Sequence, residues 1–443
     1  MSEKEEGPAS NLNSSITEHL SRSLHLVADP RQEGKAWHKL IDILVISVCA
    51  LICGAESFVE FEKFGEAKEQ WLRGFLELPN GIPSHDTFLR VFSLLNIEQA
   101  ENSFVEWAKA NQKVGSRVSF DGKNIRGTSR SFAGARPVCE VNIYDNENRV
   151  ALGQFYSQST GNAEVQPVLV GLDQINLKAR TVVSFDAALA SISIAEKIRE
   201  RGGHYLFPIK NNRGPSVREL EQIFLKIPEK TVFSRNKMNK KQKKMADFAK
   251  TAEWNHGRYE ERGCTVIAAS KCSEKFRQYW PDVQSVVRMR RYRKQKRTNY
   301  NNQVRLEDGT IQYLRNTQTE KIEDKITFYV SSKKGTAKSF LRLIREHWAV
   351  ENNLHWILDV AFHEDAWRVK NKTAAHSLAM MRKFAFNLLQ VEPTEESVKV
   401  KMKRAAWNQE YLNHILFDNK SLPTESEQDV HFEYGETLSS IKK

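Results

Sequence analysis

The sequence predicts an α/β protein: a mixed-sheet core interrupted by a β-rich insertion and preceded by a helical N-terminal domain. Three observations predict it. The tetrapeptide VSFD occurs twice, at Val118–Asp121 and Val183–Asp186, each time closing a β-rich run. Around the two copies the periodicity reads β-β-β-α-β-α-β. A later stretch, Arg345 to Arg368 (REHWAVENNLHWILDVAFHEDAWR), reads as helix, with Val350, Leu354, Leu358 and Phe362 on one apolar stripe. That order, with acids ending the first and fourth strands, fits a ribonuclease H-like core.

The elements follow in order. Residues 1–28 are polar and are expected to be loose. Helices are expected at Leu40–Cys53 (stopped by Gly54), Phe58–Phe64, Gln70–Leu76, Thr87–Leu94 and Glu98–Ala110. PNGIPS (Pro79–Ser84) is a loop by composition, with Ser84 or Asp86 as the next cap. Together these give a helical domain over 29–113. Strands begin at Arg117, and the first VSFD runs into GKNIRG. Pro137–Tyr144 and Arg149–Tyr156 form a hairpin across the polar turn Asp145–Asn148. A helix over Val165–Ile175 leads to the second VSFD. A further helix (Ile192–Arg201), a Gly202–Gly203 stop and a strand at Tyr205–Ile209 complete the run.

The core is expected over 114–213 and 328–392, with Phe328–Ser331 as a returning strand and helices over Thr336–Leu389. Residues 214–327 contain strand-like runs at Cys264–Ala269 and Ser285–Met289. They separate Asp186 from the next helical acid, Glu351, and are expected to loop out as a basic subdomain. Residues 393–443 lose periodicity and are expected to be peripheral or disordered.

Charge points to a polyanionic partner. Lys+Arg number 67 and Asp+Glu 55, for a net +12. Arg235–Lys250 carries +6 and Arg288–Arg297 carries +7, so the rest of the chain is close to neutral. Such clustering favours a binding face, with solvated loops as the bland alternative. The five cysteines form no CxxC pair, which argues against a disulfide framework or a zinc finger and for a reducing compartment. No apolar signal core is present, and the most apolar run, Ile43–Ala55, is too short to span a bilayer.

The acids are the candidate chemistry. In a strand, neighbours alternate faces, so each VSFD aspartate points away from the phenylalanine before it. Two such strands side by side present Asp121 and Asp186 at one edge. The later helix can add Glu351, which is expected beside the buried stripe with His347, Trp348, Asn352 and His355 nearby. Three convergent acids suit two Mg²⁺ or Mn²⁺ ions and phosphoryl transfer. Blander readings stand beside this one. Glu351 could be a solvated acid on a core helix. His347, Glu351 and His355 could form a zinc-like cluster, although the HExxH spacing is missing. Glu364 or Asp365 could replace Glu351. Lys123, Arg126 and Lys210, just past strands, are phosphate contacts or plain surface charges. Trp348 and Trp356 are expected in the core.

Several long motifs in sequence carry a resemblance. DPRQEGKAWHKLIDILVISVCALICGAESFVEFEKFGEAKEQWL, LPNGIPSHDTFLRVFSLL, VSFDGKNIRG, FDAALASISIAEKIRERGGHYLFPIKNN, HGRYEER and REHWAVENNLHWILDVAFHEDAWRVKN resemble bacterial insertion-sequence DDE transposases of the H-repeat-associated (ISAs-type) group. The likeness runs from about Asp29 to Gln390. It implies that Asp121, Asp186 and Glu351 are a catalytic triad holding two Mg²⁺ (or Mn²⁺) ions. It also implies cleavage of double-stranded DNA at transposon ends, joining of the freed 3′-hydroxyl to target DNA, and assembly as a homodimer on DNA. The location implied is the bacterial cytoplasm, at the nucleoid, with no membrane partner. Candidate DNA contacts are Lys123, Arg126, Lys210, Arg258, Arg288, Arg290, Arg291, Arg293, His347, Asn352 and His355. The chain departs from the family pattern at Ala188–Ser191, after the second acid, and at Lys210–Arg213. A wider group's Tyr, Arg and Lys around the third acid are Ile344, His347 and Leu358 here, with His347 in the arginine's place. Two other functions remain open: an inactive, domesticated DNA-binding derivative, or a nuclease without strand transfer.

Overall fold

The computed structural model describes residues 16–111, 114–128, 138–157, 165–209, 214–227, 246–255, 258–298, 303–305, 311–313 and 318–418. Five helices come first: α1 (Ile16–Leu24), α2 (Leu40–Ile52), α3 (Phe58–Leu72), α4 (His85–Leu94) and α5 (Ile97–Asn111). α1 falls where a loose segment was expected, because Leu20 and Leu24 are buried in the helical core. α2 is apolar on every side and is correspondingly buried. Its one acid, Asp42, accepts from the Leu78 backbone N–H at 3.1 Å. α3 is one helix where two were expected. Gly65 reads as a breaker but serves close packing: a Cβ there would stand 2.5 Å from Ile82 Cγ2. Ser84, rather than Asp86, caps α4 through the Thr87 N–H.

The sheet follows the expected order: β1 (Arg117–Ile125), β2 (Val138–Asp145), β3 (Val150–Ser157), α6 (Val165–Gln174), β4 (Val182–Phe185), α7 (Ile192–Glu200) and β5 (His204–Ile209). β1, β4 and β5 run parallel as neighbours, while β2 and β3 add antiparallel on the far side of β1. This is a ribonuclease H-like core.

The next segment contains α8 (Gly214–Leu225), β6 (Asp247–Asn255), β7 (Arg258–Ala268), α9 (Glu274–Tyr279), β8 (Ser285–Thr298), a short pair β9 (Gln303–Arg305) and β10 (Ile311–Tyr313), and β11 (Gln318–Ser331). It is β-rich as expected, but it does not loop out. β11 pairs antiparallel with β5 and, along its whole length, with β8, giving one nine-stranded sheet in the order β3-β2-β1-β4-β5-β11-β8-β7-β6. The physical reason is the edge: β5 would otherwise present unpaired backbone groups, and β11 satisfies them.

Helices α6 to α9 cover one face of this sheet. The other face takes α10 (Ala337–His347), α11 (Trp356–Val360) and the long α12 (Lys372–Val391), followed by α13 (Val398–Trp407) and α14 (Gln409–Asn413). Residues 398–413 thus correct the expectation of a featureless tail. Val398, Met402, Ala405 and Leu412 are buried in the core that α12 shares with α1 to α5. α12 is the hub of that core. Its Asn387 also bonds the Ala151 N–H and C=O at 2.8 Å each, closing the open side of edge strand β3. Among the described residues, no helix is long and apolar enough to cross a membrane.

Candidate functional site

The two VSFD copies lie side by side. Val118 pairs with Val183, Ser119 with Ser184 and Phe120 with Phe185 in parallel register. The phenylalanine rings stack at 5.0 Å on one face, and the buried serine hydroxyls meet at 2.9 Å on the other. Alternation then carries Asp121 and Asp186 to the serine side. Only the second copy ends its strand. β1 continues through Asp121 to Ile125, whereas Asp186 stands just beyond β4, its carboxylate accepting from the Ala187 N–H at 2.6 Å. In the divergent segment that follows, Ser191 caps α7.

Glu351 comes from a wide π-turn, Val350–His355, inserted between α10 and α11. Such turns re-aim side chains at functional sites. Val350, Leu354, Leu358 and Phe362 are buried as the stripe requires. Glu351 itself is exposed, a correction to its expected place beside the stripe: it faces an open cleft. Ligand atoms of Asp121, Glu351 and His355 lie within 4.8 Å of one another. His355 is buried, its Nδ1 3.5 Å from Asp121 Oδ2 and its Nε2 3.3 Å from Asn142 Nδ2. Asp186 and His347 line the same cleft, of about 400 Å³, and His347 Nδ1 meets Ser184 Oγ at 3.0 Å. Burial pushes His347 down to about 4 and His355 down to about 3. Both are therefore neutral near pH 7. His347 cannot supply the cation its place in the motif suggested, and His355 faces the acids rather than a DNA surface. Two accessible carboxylates and a neutral imidazole make a donor set that fits a divalent cation.

Lys123, two residues past Asp121 on the same strand face, is not a phosphate contact. It is buried, with Nζ 2.6 Å from Asp359 Oδ1 and 2.5 Å from Glu364 Oε2. Burial would lower its pKa, but Glu364 and Asp359 outweigh burial and hold the ammonium above its ordinary value. Burial alone would raise Glu364, yet Lys123, Lys383 and Arg382 hold its carboxyl well below the usual carboxylate range. Glu364 is thus committed to this interior pair and is no rival to Glu351. The pair fastens the segment just after Glu351 to the strand bearing Asp121. Sequence reading missed it, although the i+2 spacing from Asp121 was a usable signal. Asp365 accepts from the Arg126 backbone N–H at 3.1 Å, and the Arg126 side chain stands exposed at the rim.

Deeper in lies a second charged group. Glu140 of β2 is 3.1 Å from His376 Nδ1 and 3.3 Å from Lys383 Nζ, both on α12, and His376 Nε2 is 3.0 Å from Glu101. Burial lowers His376, but Glu101 and Glu140 override it and raise the imidazole to about 9.

Beside the acid cleft runs a groove of about 550 Å³ lined by Arg258, Arg262, Arg291, Arg293, Lys325 and Arg345, with Glu260 and Asn352. Trp348 and Glu351 line both hollows, so the two are continuous. Strand alternation sorts the expected arginines. Arg291 and Arg293 face the groove. Arg288 faces the opposite side, buried, donating to the Phe224 carbonyl at 3.1 Å and lying over the Phe224 ring. Arg290 shares that side and bonds Asp324 at 2.9 and 2.5 Å. Arg258 approaches Glu260 at 3.4 Å, and Asn352 donates to the Trp348 carbonyl at 3.0 Å. Trp348 and Trp356, expected in the core, are 51 % and 59 % exposed, because each stands two residues from a stripe residue and so faces away from it on a helix. Lys210 lies outside the described residues, as does most of the 235–250 cluster.

The fold is of the ribonuclease H-like class, and comparison with known proteins supplies the family. The model for the transposase DDE domain matches residues 116–388, and that for the DDE_Tnp_1-associated domain matches residues 21–108. The chain belongs to the DDE transposase family. It is 32 % identical over 398 residues to YncI of Escherichia coli O157:H7, covering 89 % of this chain and 93 % of that one. It is 28 % identical over 408 residues to the H repeat-associated protein YhhI of Escherichia coli K12, covering 90 % and 97 %. Among solved structures it is similar to the piggyBac transposase in a synaptic complex with hairpin DNA. There the TM-score is 0.41 at 10 % identity, over 93 % of this chain and 79 % of that one.

Proposed function

We propose that the protein is the DNA transposase of a bacterial insertion sequence, cutting transposon ends and joining the freed 3′-hydroxyls to target DNA. One observation carries the reading: the in-register VSFD strands and the π-turn bring Asp121, Asp186 and Glu351 to one cleft that opens into a cationic groove. The three carboxylates would hold two Mg²⁺ or Mn²⁺ ions, which would supply charge neutralisation at the scissile phosphate and activation of the attacking water or 3′-hydroxyl. Arg258, Arg291 and Arg293 take the phosphates of double-stranded DNA, and Arg126 adds a charge at the rim. Lys123 acts from inside, keeping Glu351 in reach of Asp121. The working form is a homodimer on DNA, in the bacterial cytoplasm at the nucleoid.

The test uses the purified chain, Mg²⁺, and DNA carrying or lacking the element's terminal repeats. Asp121→Asn, Asp186→Asn and Glu351→Gln are each expected to slow cleavage at least about a hundredfold, with DNA affinity retained, since cations carry most of that affinity. A variant cleaving near the wild-type rate removes its acid from the site. Cleavage without joining would make the protein a nuclease, and binding without cleavage an inactive derivative.

A further inference from the structure

We infer that His355 is a metal ligand: with Asp121 and Glu351 it forms a mixed nitrogen–oxygen position for one divalent cation, leaving Asp186 to serve an all-oxygen neighbour. The inference rests on the proposed reading of the acids as a metal centre and assigns its two positions different chemistry.

The geometry comes first. Among the described residues, the ligand atoms of Asp121, Glu351 and His355 converge within 4.8 Å, and Asp186 lines the same cleft outside that group. A cation about 2.1 Å from each donor holds neighbouring donors about 3.0 Å and opposite donors about 4.2 Å apart. The gap closes with a shift of about 1 Å, which the exposed Glu351 side chain can supply. His355 is 7 % exposed and sits on the π-turn one helical step from Glu351, so both project toward β1.

The hydrogen bonding behind the ring points the same way. Asn142, directly across from Asp121 on β2, places its amide 3.3 Å from His355 Nε2. With Nδ2 on that side, Asn142 Oδ1 is buried and has no hydrogen-bond partner among the described residues. The oxygen and nitrogen of an amide are told apart by their bonding alone. Turned over, Asn142 Oδ1 accepts the Nε2 proton and the Nδ1 lone pair faces Asp121 and Glu351. A metal-binding histidine is usually held in this way, its remote N–H given to a carbonyl. An imidazole in place of a carboxylate or water shifts a site from Mg²⁺ toward Mn²⁺ and the later divalent metals.

The experiment uses the full chain at pH 7.5 with Mn²⁺ alone, free of DNA. Electron spin-echo envelope modulation of the bound Mn²⁺ is expected to show nitrogen coupling, shifting in frequency when the histidines carry ¹⁵N. His355→Gln should abolish the coupling and weaken one class of Mn²⁺ binding about tenfold or more, with a smaller loss for Mg²⁺. Circular dichroism checks the fold of each variant. Bound Mn²⁺ without nitrogen coupling overturns the assignment, as does coupling that survives His355→Gln. Should His355→Gln not fold, His347→Gln decides: coupling that persists supports His355, and coupling that vanishes assigns the nitrogen to His347. Asp121→Asn separates the two levels of the argument. If it binds Mn²⁺ like wild type, the metal-centre reading itself fails. If it binds weakly while wild type shows no nitrogen coupling, the His355 assignment alone is lost.

Discussion

Two regions of this protein are dense in charge, and they use it in opposite ways. Behind β1 and β2, Lys123, Glu364, Glu140, His376 and Lys383 are paired out of water. In the groove beside β8, Arg258, Arg291, Arg293 and Arg345 remain in contact with solvent. The first set holds helices against the sheet, where each ion leans on a partner it cannot lose cheaply. The second leaves cations in excess for a polyanion. Residue type does not distinguish the two jobs. Access to water does.

Lys123→Met leaves Glu364 and Asp359 without their cation, and is expected to cost about 3–5 kcal/mol, read as a lowered urea midpoint. A loss below about 1 kcal/mol would mean that the pair behaves as a surface bridge. Next comes pH. His376 is raised to about 9 in the fold, against about 6.5 when unfolded. Its contribution, about 3 kcal/mol, is fully present below pH 6.5 and lost as pH rises through 9. Urea melts between pH 6 and 10 should show this decline, and His376→Gln should remove it. The smallest effect on stability belongs to the groove. Arg291→Ala with Arg293→Ala should leave the melting point nearly unchanged. It should flatten the slope of log K for DNA against log salt by about one unit per lost phosphate contact. Arg290→Ala, on the opposite face of β8, should leave that slope as it was. Equal slopes in both variants would erase the distinction between the faces.

Much of the fold was legible because it rests on local period. The repeated VSFD, the hairpin around Asp145–Asn148 and the stripe from Val350 to Phe362 each signal themselves within a few residues. The candidate acids followed from the same alternation. What escaped depends on distant partners. Lys123 reads as a surface charge until Asp359 and Glu364, more than two hundred residues on, close over it. Arg288 reads as one of a basic run until Phe224 is placed beneath it. The exposure of Glu351 turns on one π-turn, which a 3.6-residue periodicity cannot register. α13 and α14 are too short to declare an amphipathic face, and only α12 and its neighbours give them something to bury against.

α12 has a further consequence, in time. It spans Lys372–Val391, so a ribosome finishes every strand of the sheet, and all three acids, before it. Until then Glu140 lacks the Lys383 ammonium and the Ala151 edge lacks Asn387. Contacts this distant along the chain form late. A chain stopped at Val360 is therefore expected to carry the acids without a settled site, digested by protease within minutes while the full chain resists. On that schedule the candidate site settles only after α12 has left the ribosome.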